Sequence, residues 1–302
     1  MGCIAFGIID RGTNMLQVRA TSLCNLNCKF CSVDSGNESK WHPNTYEVDL
    51  DYLLEELEKI VNFKGGNVEI NIDSVGEPFC YPKLEELVDS LRKLDGVGEI
   101  SIQTNGTMWK DLDVDLINVS LHSLDEELGK DLAGRETYSV AKVKEFAEKY
   151  KQKGVKVRLC PVWIPKINDE EIEKIIVYAK EQGFDLGIQK YDIYKYSRKV
   201  KGGKTVNWWK FYKQLEIWEK QFDVKLKMNR AELGIEKRER VPEVLRKGSR
   251  VKGVVTCPGW LKGQIIAVAK ERCISVNNCD RDLGDIINIK ILETNNNLYL
   301  GE

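Results

Sequence analysis

Apolar and polar residues alternate over 16–20, and from there the chain switches repeatedly between a period of two and a period of 3.6. Leu50, Leu53, Leu54, Leu57, Ile60 and Val61 recur at helical spacing, with Asp49 placed to cap the first turn and Gly65-Gly66 to end the last. Val68, Ile70 and Ile72 then alternate as a strand. The same exchange repeats downstream. Helical faces run through Leu84, Leu87, Val88, Leu91 and Leu94, through Val140, Val143, Phe146, Ala147 and Tyr150, and through Ile172, Ile175, Ile176 and Ala179. Strands are predicted at Ile100 and Ile102, and over 116–121, 155–159 and 186–189. Strands separated by helices imply parallel pairing, because each crossover needs a helix. Six such units fit between Leu16 and about Tyr196, and chemistry is expected at the C-terminal ends of their strands.

The pattern changes twice more. Every charged residue from 194 to 213 is a lysine or arginine, and aromatics are interleaved with them. Such a stretch can track phosphates and stack bases. Trp208, Phe211, Tyr212, Leu215, Trp218 and Phe222 nevertheless follow helical spacing, so they are read as a packed face, and the lysine-rich loop before them as solvated. After Arg246 the pattern is all-β, with short strands over 251–257, 263–269, 273–276 and 286–292 and turns at Pro258-Gly259 and Asn277-Asn278. That arrangement predicts a small barrel.

Composition narrows the setting. The 302 residues are 42% hydrophobic with a formal net charge of −1, enough for a full core and indifferent as to partner. No apolar run approaches the roughly 20 residues that span a bilayer, and residues 1–11 lack a basic-then-apolar leader. Nine cysteines in such a chain imply a reducing compartment, so a cytoplasmic protein, read as a monomer without membrane contact.

Three of those cysteines carry the chemistry. Cys24, Cys28 and Cys31 stand in C-x3-C-x2-C spacing just beyond the first alternating run. They are too close together to bridge one another comfortably, and structural zinc takes four protein ligands. Three thiolates on a short loop suit an iron-sulfur cube that leaves one iron unclaimed by protein. The remaining cysteines, Cys257, Cys273 and Cys279 among them, lack a tight C-x2-C pair and read as apolar packing, with a second cluster as the alternative.

The spacing, with Phe30 before the third cysteine, resembles the radical S-adenosylmethionine (SAM) superfamily. That resemblance implies a partial (β/α)6 barrel, a [4Fe-4S] cluster on the three cysteines, and SAM chelated by the fourth iron. It also implies reductive cleavage of SAM to a 5'-deoxyadenosyl radical, with ferredoxin or flavodoxin as electron donor. Gly76-Glu77-Pro78 matches the motif that faces the SAM amino group, with Val75 where the family pattern has glycine. By the same resemblance Asn105 and Ser120 line the ribose and methionine of SAM, and Arg158 offers its carboxylate a planar fork. For Arg158 a salt bridge within the barrel is the structural alternative. His122, Asp125, Gln189 and Lys190 also end strands, with substrate-facing and structural roles equally open.

The C-terminal stretch resembles a TRAM domain, an OB-like RNA-binding barrel, through Gly253, Gly263, Gly284-Asp285, Ile289-Lys290-Ile291 and Tyr299-Leu300-Gly301. The expected organisation is a radical SAM barrel over 1–204, a helical linker over 205–245 and a TRAM-like barrel over 246–302. Only Cys3 precedes Cys24, so the cysteine-bearing N-terminal domain of methylthiotransferases has no counterpart, nor does the length hold a cobalamin domain. The resulting expectation is a radical SAM enzyme modifying RNA, tRNA above all. A protein, peptide or small-metabolite substrate is the alternative, and a non-catalytic iron-sulfur sensor or RNA-binding protein is the rival from another class.

Overall fold

The structure, a computed structural model, describes residues 2–302. Its elements begin with β1 (Gly7–Asp10), β2 (Met15–Arg19), α1 (Leu50–Phe63), β3 (Val68–Ile72), α2 (Leu84–Lys93), β4 (Val97–Thr104), β5 (Leu116–Val119), α3 (Glu126–Ala133) and α4 (Val140–Gln152). They continue with β6 (Lys156–Leu159), β7 (Val162–Trp163), α5 (Asp169–Gln182), β8 (Asp185–Leu186), β9 (Gln189–Lys190) and α6 (Trp208–Phe222). Last come β10 (Arg250–Pro258), β11 (Gln264–Ala269), β12 (Arg272–Asn277), β13 (Ile286–Glu293) and β14 (Tyr299–Gly301). The chain forms two compact units. One holds residues up to Leu23, Ser39–Ile100 and Ile235–Glu302; the other holds Cys24–Glu38 and Ser101–Gly234.

In the first unit β2 pairs parallel with β3, as the alternating pattern requires. β1 pairs antiparallel with β2 and was not foreseen, because Gly-Ile-Ile-Asp is buried on both faces and does not alternate. Asp49 accepts the Tyr52 amide at 3.0 Å and starts α1, whose Leu50, Leu53, Leu57, Ile60 and Val61 are buried. Lys64 closes that helix and reaches Asp10 of β1 at 2.9 Å, both side chains wholly out of solvent. The pair is satisfied from every side: Asp10 also accepts the Gly12 and Val241 amides at 2.8 Å, and the Lys64 ammonium donates to the Glu239 carbonyl at 2.9 Å. A buried pair so enclosed pins residues 239–241 under β1.

The same unit ends in a closed barrel of order β10-β11-β12-β14-β13. β12 and β14 run parallel, and every other neighbouring pair is antiparallel. Val255, Ile265, Ala267, Ile274, Ile289 and Ile291 fill it. Gly253 and Gly301 are required there, since a Cβ would sit 2.8 Å and 2.4 Å from Ile289 side-chain atoms. The turn after β10 is seated on residues 42–46: Trp260 stacks on His42 at 3.8 Å, and Tyr46 and Asn44 donate to the carbonyls of Pro258 and Gly259.

In the second unit the end of β4 pairs parallel with β5, β5 with β6, and β6 with β8. The predicted strand over 186–189 is instead two two-residue strands: β8 continues the β6 edge, and β9 pairs with β7. Gly187 marks the break, where a Cβ would lie 3.0 Å from Arg158 and 3.2 Å from Cys160. The short helix α3 escaped the pattern because it carries Gly129 in its middle, where a Cβ would lie 2.6 Å from Val140 of α4. On α6 only Phe211, Leu215 and Trp218 are buried, so the aromatic stripe is wider than the face it packs and the single-face expectation holds for half of it.

Candidate functional site

Cys24, Cys28 and Cys31 lie on an irregular loop of the second unit, all partly exposed. Such a loop has no ladder to satisfy its backbone, so its amides and carbonyls need partners elsewhere. Two are supplied by the C-terminal end of α3, whose last carbonyls have no helical donors. Asn27 donates its amide to the Ala133 carbonyl at 3.1 Å, and Lys29 donates to Leu132 at 2.9 Å. Gly134 ends that helix at φ 63°, and a Cβ there would lie 2.2 Å from the Asn27 carbonyl oxygen. Glycine is thus needed both for the left-handed backbone and for the approach.

Arg198 holds the other side. Its amide donates to the Cys31 carbonyl at 2.9 Å. Its guanidinium donates to the carbonyls of Cys28 at 3.3 Å and Ser35 at 2.6 Å, and to the Asp34 carboxylate at 2.6 Å. Ser197 adds a bond from its hydroxyl to the Ser32 carbonyl at 2.8 Å. The lysine-rich stretch was expected to be solvated; at this point it is not, for the Arg198 side chain is only 16% exposed. The reason is geometric: several loop carbonyls and a carboxylate are met at once by a planar, five-donor fork, which lysine could not do. Arg198 is the only arginine between 194 and 213, and that was the signal available in the sequence.

The donor set suits a cube. Burial first, and then the neighbouring Cys24 and Cys31, push the Cys28 thiol far above its ordinary range, while Arg198 pulls it down. Three thiolates this close need positive charge among them, which iron supplies. No three His, Cys, Asp or Glu side chains among the described residues close on a single-ion site. A cube takes one thiolate on each of three irons, where structural zinc takes four protein ligands. Ser35 also donates its amide to the Cys31 sulfur at 3.3 Å.

The strand ends of this unit bring some of the expected residues to the loop. Asn105 donates to the Asn25 side-chain oxygen at 2.8 Å, and Asn25 donates to the Thr107 hydroxyl at 2.8 Å, so Asn105 is part of the loop's base. Asn25, and Arg135, which donates to its carbonyl at 3.1 Å, were both missed in the sequence. Pairing aligns Gln103, Asn118, Arg158 and Asp185 in one polar row across four strands. Asn105, Ser120, Cys160 and Gly187, two residues further on, share that face. Arg158 bonds Asn118 at 3.5 Å and Asp185 at 3.6 Å, while its Nε is buried without a partner. Gln189 stands exposed.

Phe30 is buried and meets His122 edge-on at 4.5 Å. His122 accepts the Val162 amide on Nδ1 at 3.0 Å, and burial pulls its pKa down to about 4, so the ring is neutral with its proton on Nε2. Asp125 has a structural role, capping α3 by accepting the Leu128 amide at 2.8 Å. Lys190 is buried in an ion pair with Asp192 and lies 5.0 Å over Trp208.

Gly76-Glu77-Pro78 belongs to the first unit. Glu77 is 2% exposed, not a solvated turn acid, and its carboxylate accepts the Phe79 amide at 3.0 Å to start a short 3-10 turn at Pro78–Cys80. Its own amide donates to the Leu23 carbonyl at 2.7 Å, and a Cβ on Gly76 would lie 2.0 Å from that oxygen. The motif is therefore built directly on the residue that precedes Cys24.

In the small barrel Cys257 and Cys273 sit on β10 and β12, with thiols raised by burial, and Cys279 packs against the barrel core. No helix among the described residues is long and apolar enough to cross a membrane.

Comparison with known proteins places the chain in a family. An uncharacterized protein of Methanocaldococcus jannaschii is 36% identical over the whole chain, which covers 78% of it. The GTP 3',8-cyclase of Aquifex aeolicus is 29% identical over 68% of this chain, which spans 62% of the cyclase's length. Among solved structures, Streptococcus suis SuiB bound to S-adenosylmethionine superposes with a TM-score of 0.57 at 18% identity, over 73% of this chain and 51% of its own. The structure of anSMEcpe with bound AdoMet gives 0.52 at 22%, over 84% and 74%. The sequence profile of the radical SAM superfamily matches residues 18–179, more than half of the chain. With the three-cysteine loop and the parallel strands behind it, that match means the chain belongs to the radical SAM superfamily, whose enzymes work with a [4Fe-4S] cluster and S-adenosylmethionine.

Proposed function

We propose that this radical SAM enzyme modifies RNA, with tRNA the first substrate to test. The observation that carries the proposal is the strand order of the small barrel. Numbered along the chain it reads 1-2-3-5-4, with the third and fifth strands parallel, and a closed five-stranded barrel of this kind supports an OB-like, oligonucleotide-binding reading. Its outer surface supports the same partner. Arg250 stands directly opposite Lys290, with Lys252 two residues along, all exposed. Lys290 is paired with Glu302 at 2.9 Å, which leaves Arg250 and Lys252 as the cations of this patch open to a phosphate backbone. A division into a radical-generating barrel over 1–204, a linker over 205–245 and a recruiting barrel over 246–302 is part of this proposal, as is a cytoplasmic, ferredoxin- or flavodoxin-type electron donor.

When bound, the cluster and SAM supply a 5'-deoxyadenosyl radical able to abstract hydrogen from an unreactive C–H. The chain's own contribution is to hold and to shield. Cys24, Cys28 and Cys31 would bind the cluster, on a loop that α3 and Arg198 already keep in shape. The rigid Gly76-Glu77-Pro78 turn would present backbone groups to SAM, and Asn105, Ser120 and Arg158 would contribute polar groups from the strands. Neutral His122 keeps a donor, not a charge, beside Phe30. The parallel strands would limit contact between the radical and water.

The test is mass spectrometry of RNA nucleosides from cells with and without the gene, backed by gel shifts against total tRNA at rising salt. A missing modification and a steep salt dependence are expected; unchanged nucleosides and no shift would refute the RNA reading. A second reading, a nucleoside triphosphate as substrate, is favoured by the cyclase name of several relatives and by the unpartnered Arg158 Nε. Consumption of GTP by the reconstituted enzyme, with no RNA bound, would establish it.

A further inference from the structure

Helix α6 buries one set of aromatics and leaves another in solvent. Trp208, Trp209 and Tyr212 are 56%, 67% and 48% exposed, while Phe211, Leu215 and Trp218 of the same helix are buried. The exposed rings are ordered against one another and against cations. Trp208 and Tyr212 stack with centroids 5.8 Å apart and planes 28° apart. The Lys190 ammonium lies 5.0 Å over Trp208, and that of Lys213 lies 4.9 Å over Trp209. Leaving two tryptophans and a tyrosine in water on one short stretch forgoes burial that a chain of this size could arrange, which marks an interaction surface.

Charge decides what kind of partner fits. Between Lys190 and Lys213 the lysines and arginines greatly outnumber the single acid, Asp192, which is paired with Lys190, so an anionic partner fits. Flat exposed rings with the exposed Lys213 ammonium over Trp209 and further lysines along the same stretch match bases and phosphates in alternation. An anionic membrane surface is the other candidate for such a composition, but an interfacial helix presents its continuous apolar face to lipid. Here the continuous face through Phe211, Leu215 and Trp218 is already packed, leaving Ile217 as the one aliphatic side chain exposed beside the rings: Phe211 and Trp218 lie against Trp163 at 6.1 and 5.2 Å, and the Trp218 indole donates to Glu173 at 3.1 Å. A duplex is disfavoured because its bases are not free to stack on protein rings.

We propose that Trp208, Trp209 and Tyr212, with the lysines around them, seat a single-stranded segment of nucleic acid. The proposal rests on the RNA reading above and says where an unpaired strand is held. The position is pertinent to the chemistry, since the same segment begins at Ser197 and Arg198, which bond directly to the cysteine loop. A strand seated on α6 lies along the stretch of chain that shapes the cluster site.

The experiment uses the full-length, anaerobically reconstituted protein. Anisotropy of a labelled single-stranded RNA of mixed sequence is compared with that of a duplex of equal length, across a salt series. The Trp208→Ala/Trp209→Ala/Tyr212→Ala variant should bind the single strand at least tenfold more weakly, with duplex binding and iron content unchanged. An Arg250→Ala/Lys252→Ala/Lys290→Ala variant in the small barrel should lose affinity for both RNAs. Wild-type binding that survives the three ring substitutions within twofold would overturn the seat and leave the RNA reading standing. A wild-type protein that binds neither RNA at low salt would overturn both. Loss of binding to phosphatidylserine vesicles, with RNA binding intact, would assign the rings to a membrane surface instead.

Discussion

Two groups of three cysteines occupy this chain, and their surroundings differ in kind. Cys24, Cys28 and Cys31 sit on a loop whose backbone is satisfied from outside by α3 and Arg198, and whose thiols are neighbours. Cys257, Cys273 and Cys279 are placed by a sheet: Cys257 opposite Ile266 on one strand pair, Cys273 opposite Val268 on another yet near enough for Cys257 to help push its thiol up, and Cys279 beyond the end of β12. Strand pairing sends successive side chains to opposite faces and fixes their spacing, so cysteines carried by strands gather only as far as the register allows. A loop has no such restraint, and a short one can turn several thiols toward a common centre, provided something else holds it. Residue type alone does not make a ligand set; freedom of the backbone followed by external bracing does.

The comparison can be broken most decisively by substitution. Alanine at Cys24, Cys28 or Cys31 should abolish the cubane absorption and all 5'-deoxyadenosine formation after reconstitution. Serine at Cys257, Cys273 and Cys279 together should leave iron content unchanged. Iron near a full second cube in the first set of variants would show that the barrel cysteines bind metal after all.

The next effect concerns stability. Lys64→Met leaves Asp10 charged and unpaired in the interior and should cost about 3–5 kcal/mol in urea unfolding. Iron bound per folded chain should not change, because the pair belongs to the unit without the cysteine loop.

Arg198 sharpens the contrast on the loop's own side. Arg198→Met should weaken iron retention against a chelator by about 10–100-fold, as expected when a supporting contact around a metal site is lost. It should also speed amide exchange over 27–35 in the iron-free protein. Arg198→Lys should recover only part of both, since a single ammonium cannot reproduce the fork.

The smallest effect is one of pH. Burial lowers the His122 pKa from 6.5 to about 4, so between those values the unfolded chain binds the proton that the folded chain refuses. Stability should therefore be constant above about pH 6.5 and fall as pH drops from there toward 4. A loss on the order of 1–2 kcal/mol between pH 7 and 5 is expected, and His122→Gln should flatten that slope.

Much of this was legible in residues alone. The alternation of strands with helices predicted the parallel pairings of β2 with β3, β4 with β5 and β5 with β6, because each crossover carries a helix long enough to show its period. The cysteine loop was legible because its spacing is dense. What failed to show was short or non-local. β7 and β8 have two residues each, too few for periodicity to declare itself, β1 is buried throughout without alternating, and α3 carries a glycine in its middle. Arg198 contacts residues more than 160 positions away, and no local pattern encodes such a contact. The split of α6 into buried and bare aromatics likewise depends on which neighbours reach it, which spacing cannot say.

The central claim is that three thiolates hold a cube whose remaining iron takes SAM. Its most direct test is reductive turnover of SAM by anaerobically reconstituted protein under dithionite, with iron counted in the same sample. About four irons per chain, and 5'-deoxyadenosine formed with methionine by the wild type and not by Cys28→Ala, are predicted. Zinc in place of iron, or a full cube that yields no 5'-deoxyadenosine, would contradict it.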